Sequence, residues 1–130
     1  MQRAQTAAEY VTLLALMFVL VASLMLVSFR QQELTLALTA ARLGCNDYSA
    51  TTYAAYQWAA NTTECSEIRY YYVGAQNVTI VPISNVLLQS EKDALQLQIL
   101  KNIVSVFQPG ALPSGRCYTA AYYSYCIAFP

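Results

Sequence analysis

The chain has 130 residues, seven basic and seven acidic side chains, and no histidine. Zero net charge without a basic run gives no sign of a nucleic-acid interface. The absence of histidine removes the commonest general base and metal ligand, and with it any Ser-His-Asp or Cys-His arrangement. No cofactor is implied. Hydrophobic residues make up 57% and charged residues 11%, so a free monomer would be poorly soluble and much of its surface is expected to be covered by neighbours.

Met1 to Ala4 reads as a leader segment. Helical character then runs from Gln5 to Leu43 without a proline or glycine, and Gly44 is the expected stop. Within it, Tyr10 to Phe29 carries no charge. At 1.5 Å rise per residue such a stretch spans about 30 Å, the thickness of a bilayer's hydrocarbon core. Its second half is amphipathic. Gln31, Thr35, Thr39 and Arg42 recur on one side, while Leu34, Ala37, Leu38 and Ala41 form an apolar face able to dock a head domain. In the first half Ala8, Thr12, Ala15 and Ala22 form a narrow stripe of small residues where another helix backbone can approach closely. A lone acid, Glu9, stands at the mouth of the uncharged stretch, where an unpartnered carboxylate is costly to bury.

The arrangement Arg3-Ala4-Gln5-Thr6-Ala7-Ala8-Glu9, followed directly by the uncharged stretch, resembles the class III signal peptide of type IV pilins, archaeal ones in particular. The resemblance covers about residues 3 to 30. It implies that a prepilin peptidase cuts between Ala4 and Gln5, which makes Gln5 the first mature residue and Glu9 the fifth. It also implies that Glu9 recruits the subunit into a filament by pairing with the new α-amino group of a neighbouring copy. The Glu9-Tyr10 pair is similar to the Glu-Tyr of tight-adherence pilins. Bacterial type IV pilins usually carry a helix-breaking proline in the apolar half; none is present here, so an unbroken helix is expected.

Beyond Gly44 the chain reads as a small head. All four cysteines, Cys45, Cys65, Cys117 and Cys126, lie after the apolar stretch. An even count there points to two disulfides in an oxidising compartment. Three connectivities are open, and the sequence-local pairs Cys45–Cys65 and Cys117–Cys126 are favoured. Zinc is disfavoured because no close C-x2-4-C pair exists. Two sequons, Asn61-Thr62-Thr63 and Asn77-Val78-Thr79, are candidate N-glycosylation sites. Tyr48 to Asn61 reads as a short helix with Tyr53, Tyr56 and Ala60 on one face. Ile68–Val73 and Val78–Ile83 read as a hairpin around Gly74-Ala75-Gln76-Asn77, with Pro82 placing the second strand at an edge or ending it there. Ser90-Glu91-Lys92-Asp93 resembles a capping box opening a helix through about Phe107, with Leu95, Ile99, Ile103 and Val106 on its buried face. A loop from Pro109-Gly110 to Ser114-Gly115 follows. Arg116 to Phe129 then reads as a last strand or hairpin clasped by Cys117 and Cys126. Glu91 and Asp93 are read as helix-capping acids, and Asp47, Glu64 and Glu67 as solvated loop acids. Trp58 and the tyrosine clusters fit core packing and subunit contact better than carbohydrate binding.

The expected fold is α+β: a leader at 1–4, a hydrophobic α-helix at 5–44 and a disulfide-bonded head of short strands and helix at 45–130. The expected function is that of a structural subunit of an extracellular type IV-like filament serving adhesion or surface attachment. Its partners would be identical subunits, prepilin peptidase, the assembly machinery and, before assembly, the membrane. The competing reading is a single-span anchored protein whose external head binds a partner and never polymerises. An enzyme is not expected.

Overall fold

The computed structural model describes residues 2–55, 65–84 and 89–130. The fold is α+β, in the order α1 (Gln2–Ala55), β1 (Cys65–Val73), β2 (Asn77–Ser84), α2 (Gln89–Phe107), β3 (Cys117–Thr119) and β4 (Ser124–Ile127). Two compact units divide the chain between Gln32 and Glu33, inside α1. The second unit owns the second half of the helix.

The first unit is helical from Gln2 onward, and its side chains are exposed. Every large apolar side chain from Tyr10 to Phe29 is 44–76% exposed. The helix is long and apolar enough to cross a membrane. Two hydroxyls within the apolar stretch bond back to their own helix. Thr12 Oγ1 donates to the carbonyls of Ala8 (3.1 Å) and Glu9 (2.8 Å), and Ser23 Oγ donates to that of Val19 (2.8 Å). Such back-bonding leaves neither hydroxyl unsatisfied in an apolar setting.

In the second unit a four-stranded sheet is ordered β1-β2-β4-β3. β1 and β2 form the expected antiparallel hairpin, from Val73↔Asn77 to Cys65↔Ser84, with Gly74 at φ 77° in the turn. β2 and β4 are parallel from Asn77↔Ser124 to Ile80↔Ile127. A parallel pair needs a long crossover, and α2 lies in that connection. β3 and β4 close as an antiparallel hairpin with Cys117 opposite Cys126. Pro82 sits in a central strand and not at a sheet edge. It lies beyond the last β2–β4 pair, where its missing N–H costs no bond to β4.

Three surfaces build the core. Ala37, Leu38, Ala40 and Ala41 come from α1; Leu95, Ile99, Leu100, Ile103 and Val104 from α2; Ile68, Val78, Ile80, Tyr125 and Ile127 from the inner sheet face. The apolar face read at Leu34, Ala37, Leu38 and Ala41 is the one that packs, with Leu34 half-buried. Gln31, Thr35, Thr39 and Arg42 are exposed. Both disulfides are the sequence-local ones. Cys45–Cys65 ties α1 to β1, and Cys117–Cys126 bridges β3 and β4 with Cα atoms 4.1 Å apart. Ser49 of α1 adds a second tie by accepting the Cys65 N–H at 2.8 Å.

Several expectations are corrected. Gly44 does not stop the helix, which continues through it to Ala55. Gly44 instead makes room for α2, since a Cβ there would lie 2.9 Å from Ile99 Cα and 3.1 Å from the Gln98 carbonyl oxygen. The separate helix expected from Tyr48 is, as far as Ala55, the end of α1; its remainder, including Tyr56, Trp58, Ala60 and Asn61, lies outside the described residues, as do the Tyr53 side chain and Glu64. α2 is already under way at Gln89, so Ser90 lies in its first turn and not at a cap; Gln89 Nε2 donates to Asp93 Oδ1 at 3.0 Å. Val106 is exposed, and Leu100 and Val104 take its place. The sheet and α1 together cover a broader stripe of α2 than a single 3–4 spacing marks.

Gly44→Ala tests the close approach. Intrinsic propensity alone would make it stabilising by about 1 kcal/mol. Here the added methyl meets the Ile99 backbone, which cannot swing aside as a flexible side chain would. The expected outcome is a loss of about 1–3 kcal/mol in urea unfolding; a gain would show that the helices separate freely at this point.

Candidate functional site

Two places among the described residues concentrate polar side chains. One is the amino-terminal turn of α1. Gln2, Arg3, Gln5, Thr6 and Glu9 line one shallow, open depression on the helix surface. A helix brings residues four apart onto one side, so Gln5 and Glu9 face the same way. Thr6 Oγ1 donates to the Gln2 and Arg3 carbonyls at 2.7 and 3.2 Å, so the Ala4–Gln5 peptide is spanned by helical bonds. Glu9 is exposed and forms no ion pair among the described residues. Tyr10 is 76% exposed. Ala8, Thr12, Ala15 and Ala22 are likewise exposed on the helix surface.

The second place was not singled out in the sequence reading. Glu33 is the buried acid of the described residues, 7% exposed. Its carboxylate accepts the Tyr122 N–H on Oε2 and the Tyr123 N–H on Oε1, both at 2.9 Å. Tyr125 donates its phenolic hydroxyl to Oε1 at 3.2 Å. Two successive backbone N–H groups and a phenol thus converge on one carboxylate, and they come from the β3–β4 hairpin some 90 residues away in sequence. Such charge-assisted bonds are worth about 1.5–3 kcal/mol each. They satisfy an acid that would otherwise be expensive to bury. A signal was available: Glu33 lies four residues before Ala37 and eight before Ala41, in register with the apolar face of α1.

Burial, followed by the neighbouring Glu33 carboxylate, pushes the Tyr125 phenol well above its ordinary value near 10. Tyr125 belongs to a run of ring contacts across the inner face. Phe107 stacks on Tyr118 and Tyr125, with centroids 5.9 and 6.2 Å away; Tyr123 bridges Tyr125 and Tyr72; Tyr70 packs edge-on to Tyr72. Part of the tyrosine enrichment therefore serves the core, while Tyr70, Tyr71 and Tyr72 remain substantially exposed. Glu67 pairs with Arg69 at 3.3 Å, and Asp47 accepts from Asn102 at 3.3 Å. Among the described residues no group of acids and cysteines is placed to hold a metal ion.

Comparison with protein-family profiles, curated proteins and solved structures finds no match to this chain.

Two outcomes follow from the Glu33 geometry. Glu33→Ala strands two part-buried N–H groups and a phenol, and is expected to cost the head about 2–4 kcal/mol in urea unfolding; Glu33→Gln, which keeps one acceptor oxygen, should cost less. An unchanged midpoint in both variants would mean that the contact contributes nothing. The second outcome concerns pH. The folded-state pKa of Tyr125 lies above its unfolded value, so its contribution is complete below about pH 10 and is lost as pH rises further. Alkaline unfolding followed by phenolate absorbance should therefore show Tyr125 ionising together with the unfolding step; ionisation of Tyr125 ahead of unfolding would contradict its burial.

Proposed function

We propose that the chain is a structural subunit of an extracellular filament, assembled by bundling of its N-terminal helices and displaying its disulfide-bonded heads outward. The observation that carries this reading is the helical surface from Tyr10 to Phe29, apolar on all sides and exposed along its whole length. Such a surface requires an apolar cover, and two are available in sequence: lipid, then other copies of the same helix. Both are apolar, so transfer between them changes little hydrophobic energy, and helix–helix packing decides the outcome. The stripe Ala8, Thr12, Ala15 and Ala22 supports close approach of helices. The similarity of residues 3 to 30 to type IV pilins supplies the processing site at Ala4–Gln5 and the assembly role of Glu9. The absence of histidine from the sequence, and of a clustered donor set among the described residues, supports a structural and not a catalytic role.

In this mechanism a prepilin peptidase removes residues 1–4, the Gln5 amine is freed, and Glu9 of one copy meets the Gln5 amine of another inside the bundle. Charge pairing in that dry setting is strong. Glu9→Gln keeps the shape and removes the charge, at a cost on the order of 3 kcal/mol per subunit. The variant should insert, be processed and form both disulfides, yet yield few or no filaments by negative-stain microscopy of sheared surface material. Intact mass of the same material should correspond to a chain beginning at Gln5. Filaments at normal number from Glu9→Gln would sink the pairing mechanism. A wild-type chain that stays in the membrane, uncut and unpolymerised, would favour the anchored binding protein instead.

A further inference from the structure

The sheet has a second face. Along β2 the side chains of Val78, Ile80 and Pro82 are buried, which puts Asn77, Thr79 and Val81 on the opposite side. Cross-strand partners share a face. The register therefore adds Val73, Tyr71 and Arg69 from β1 and Ser124 and Cys126 from β4. Cys117 and Thr119 of β3 lie opposite Cys126 and Ser124 and complete it. Among the described residues no helix packs against this face. It is largely uncharged, and Tyr71 and Val73 are 52% and 50% exposed.

One feature of this face indicates what covers it. The sequon Asn77-Val78-Thr79 opens β2, and its two functional side chains are the ones that point outward. Asn77 is exposed beside the Gly74-Ala75-Gln76 turn, and among the described residues its carboxamide makes no hydrogen bond. Thr79, which completes the N-x-Thr sequence, shares its face two residues on. Tyr71 stands directly opposite Thr79 and diagonal to Asn77. Diagonal neighbours lie roughly 7–8 Å apart, within reach of an aromatic side chain. A first sugar on Asn77 would span that gap, and the apolar underside of a pyranose ring matches an aromatic face.

We propose that Asn77 carries an N-linked oligosaccharide whose first sugar lies on the ring of Tyr71, covering the outer face of the sheet. The donor is a lipid-linked oligosaccharide phosphate. In the transfer the anomeric C–O bond to phosphate breaks and the lipid phosphate leaves with the electron pair. An anomeric C–N bond to Asn77 Nδ2 forms, and the amide gives up one proton to a base of the transferase. Asn61, the other sequon, lies outside the described residues and is not needed. The proposal requires the head to be on the external side of the membrane, as its disulfides indicate, but not that the chain polymerise.

The test uses the full chain extracted from membranes of its native host, with both disulfides verified. Peptide mapping by mass spectrometry should find the Asn77 peptide heavier by a series of sugar residues. Thr79→Val, which keeps volume and strand preference but destroys the sequon, should return that peptide to its unmodified mass. An unmodified Asn77 peptide from the wild-type chain overturns the modification. For the stacking, Tyr71→Thr is compared in the wild-type and Thr79→Val backgrounds. A fall in Tm of several degrees is expected in the modified chain and little change in the sugar-free one; an equal fall in both overturns the contact with Tyr71. Filament assembly is not read in either arm, so failure here is separable from failure of the filament reading.

Discussion

Glu33 is the constraint around which the head is organised. A carboxylate placed on the apolar face of a helix is destabilising until it finds donors, and this one finds three at the β3–β4 hairpin. The consequence is positional. Apolar packing tolerates small slides of one surface over another, whereas two N–H groups converging on one carboxylate do not. The hairpin that closes the sheet is thereby registered against a helix far upstream in sequence. Tyr125, which donates to the same carboxylate, is fully buried on the inner face, and burial raises its phenol above the ordinary value.

That registration makes the second half of α1 part of the packing of the head. A small domain has little core to spend. Here the second half of α1 supplies one wall of it, and the Ala37, Ala40 and Ala41 side chains keep that wall thin. Gly44 lets the α2 backbone come still closer. Cys45–Cys65 then secures the end of the wall to the sheet. The same helix is exposed and apolar upstream, so one element packs on its own head in the second unit and presents an uncovered apolar surface, long enough to cross a membrane, along Tyr10 to Phe29 in the first.

Much of this was legible in the sequence because it rests on local rules. The uncharged stretch, the docking face at Leu34, Ala37, Leu38 and Ala41, the hairpin around Gly74 and the clasp of Cys117 and Cys126 all follow from periodicity, turn chemistry and cysteine spacing. The misreadings are equally physical. Gly44 has the identity of a helix stop, but helix–helix proximity overrides propensity, and nothing local distinguishes a terminating glycine from one that makes room. A narrow 3–4 spacing points to Val106, whereas α2 is covered by both α1 and the sheet, and the wider stripe selects Leu100 and Val104. Pro82 suggests an edge, yet in a central strand it only needs to lie past the end of a pairing. Glu33 was legible as an acid in an apolar register but not as a latch, because its donors are backbone groups of residues whose proximity depends on the whole topology. The roles proposed for Ala4, Gln5 and Glu9 rest on resemblance, and among the described residues the exposed amino-terminal turn carries no contact of its own that would mark them.

Amide hydrogen exchange at Tyr122 and Tyr123, on the full chain in a membrane mimetic, bears on this organisation without altering any residue. Both lie in a short connection between strands, where amides ordinarily exchange fast. If the Glu33 carboxylate binds them, they should be protected to nearly the level of the buried α2 amides of Ile99 and Ile103. Exchange as fast as at Leu112 in the exposed loop would mean that the helix does not hold the hairpin.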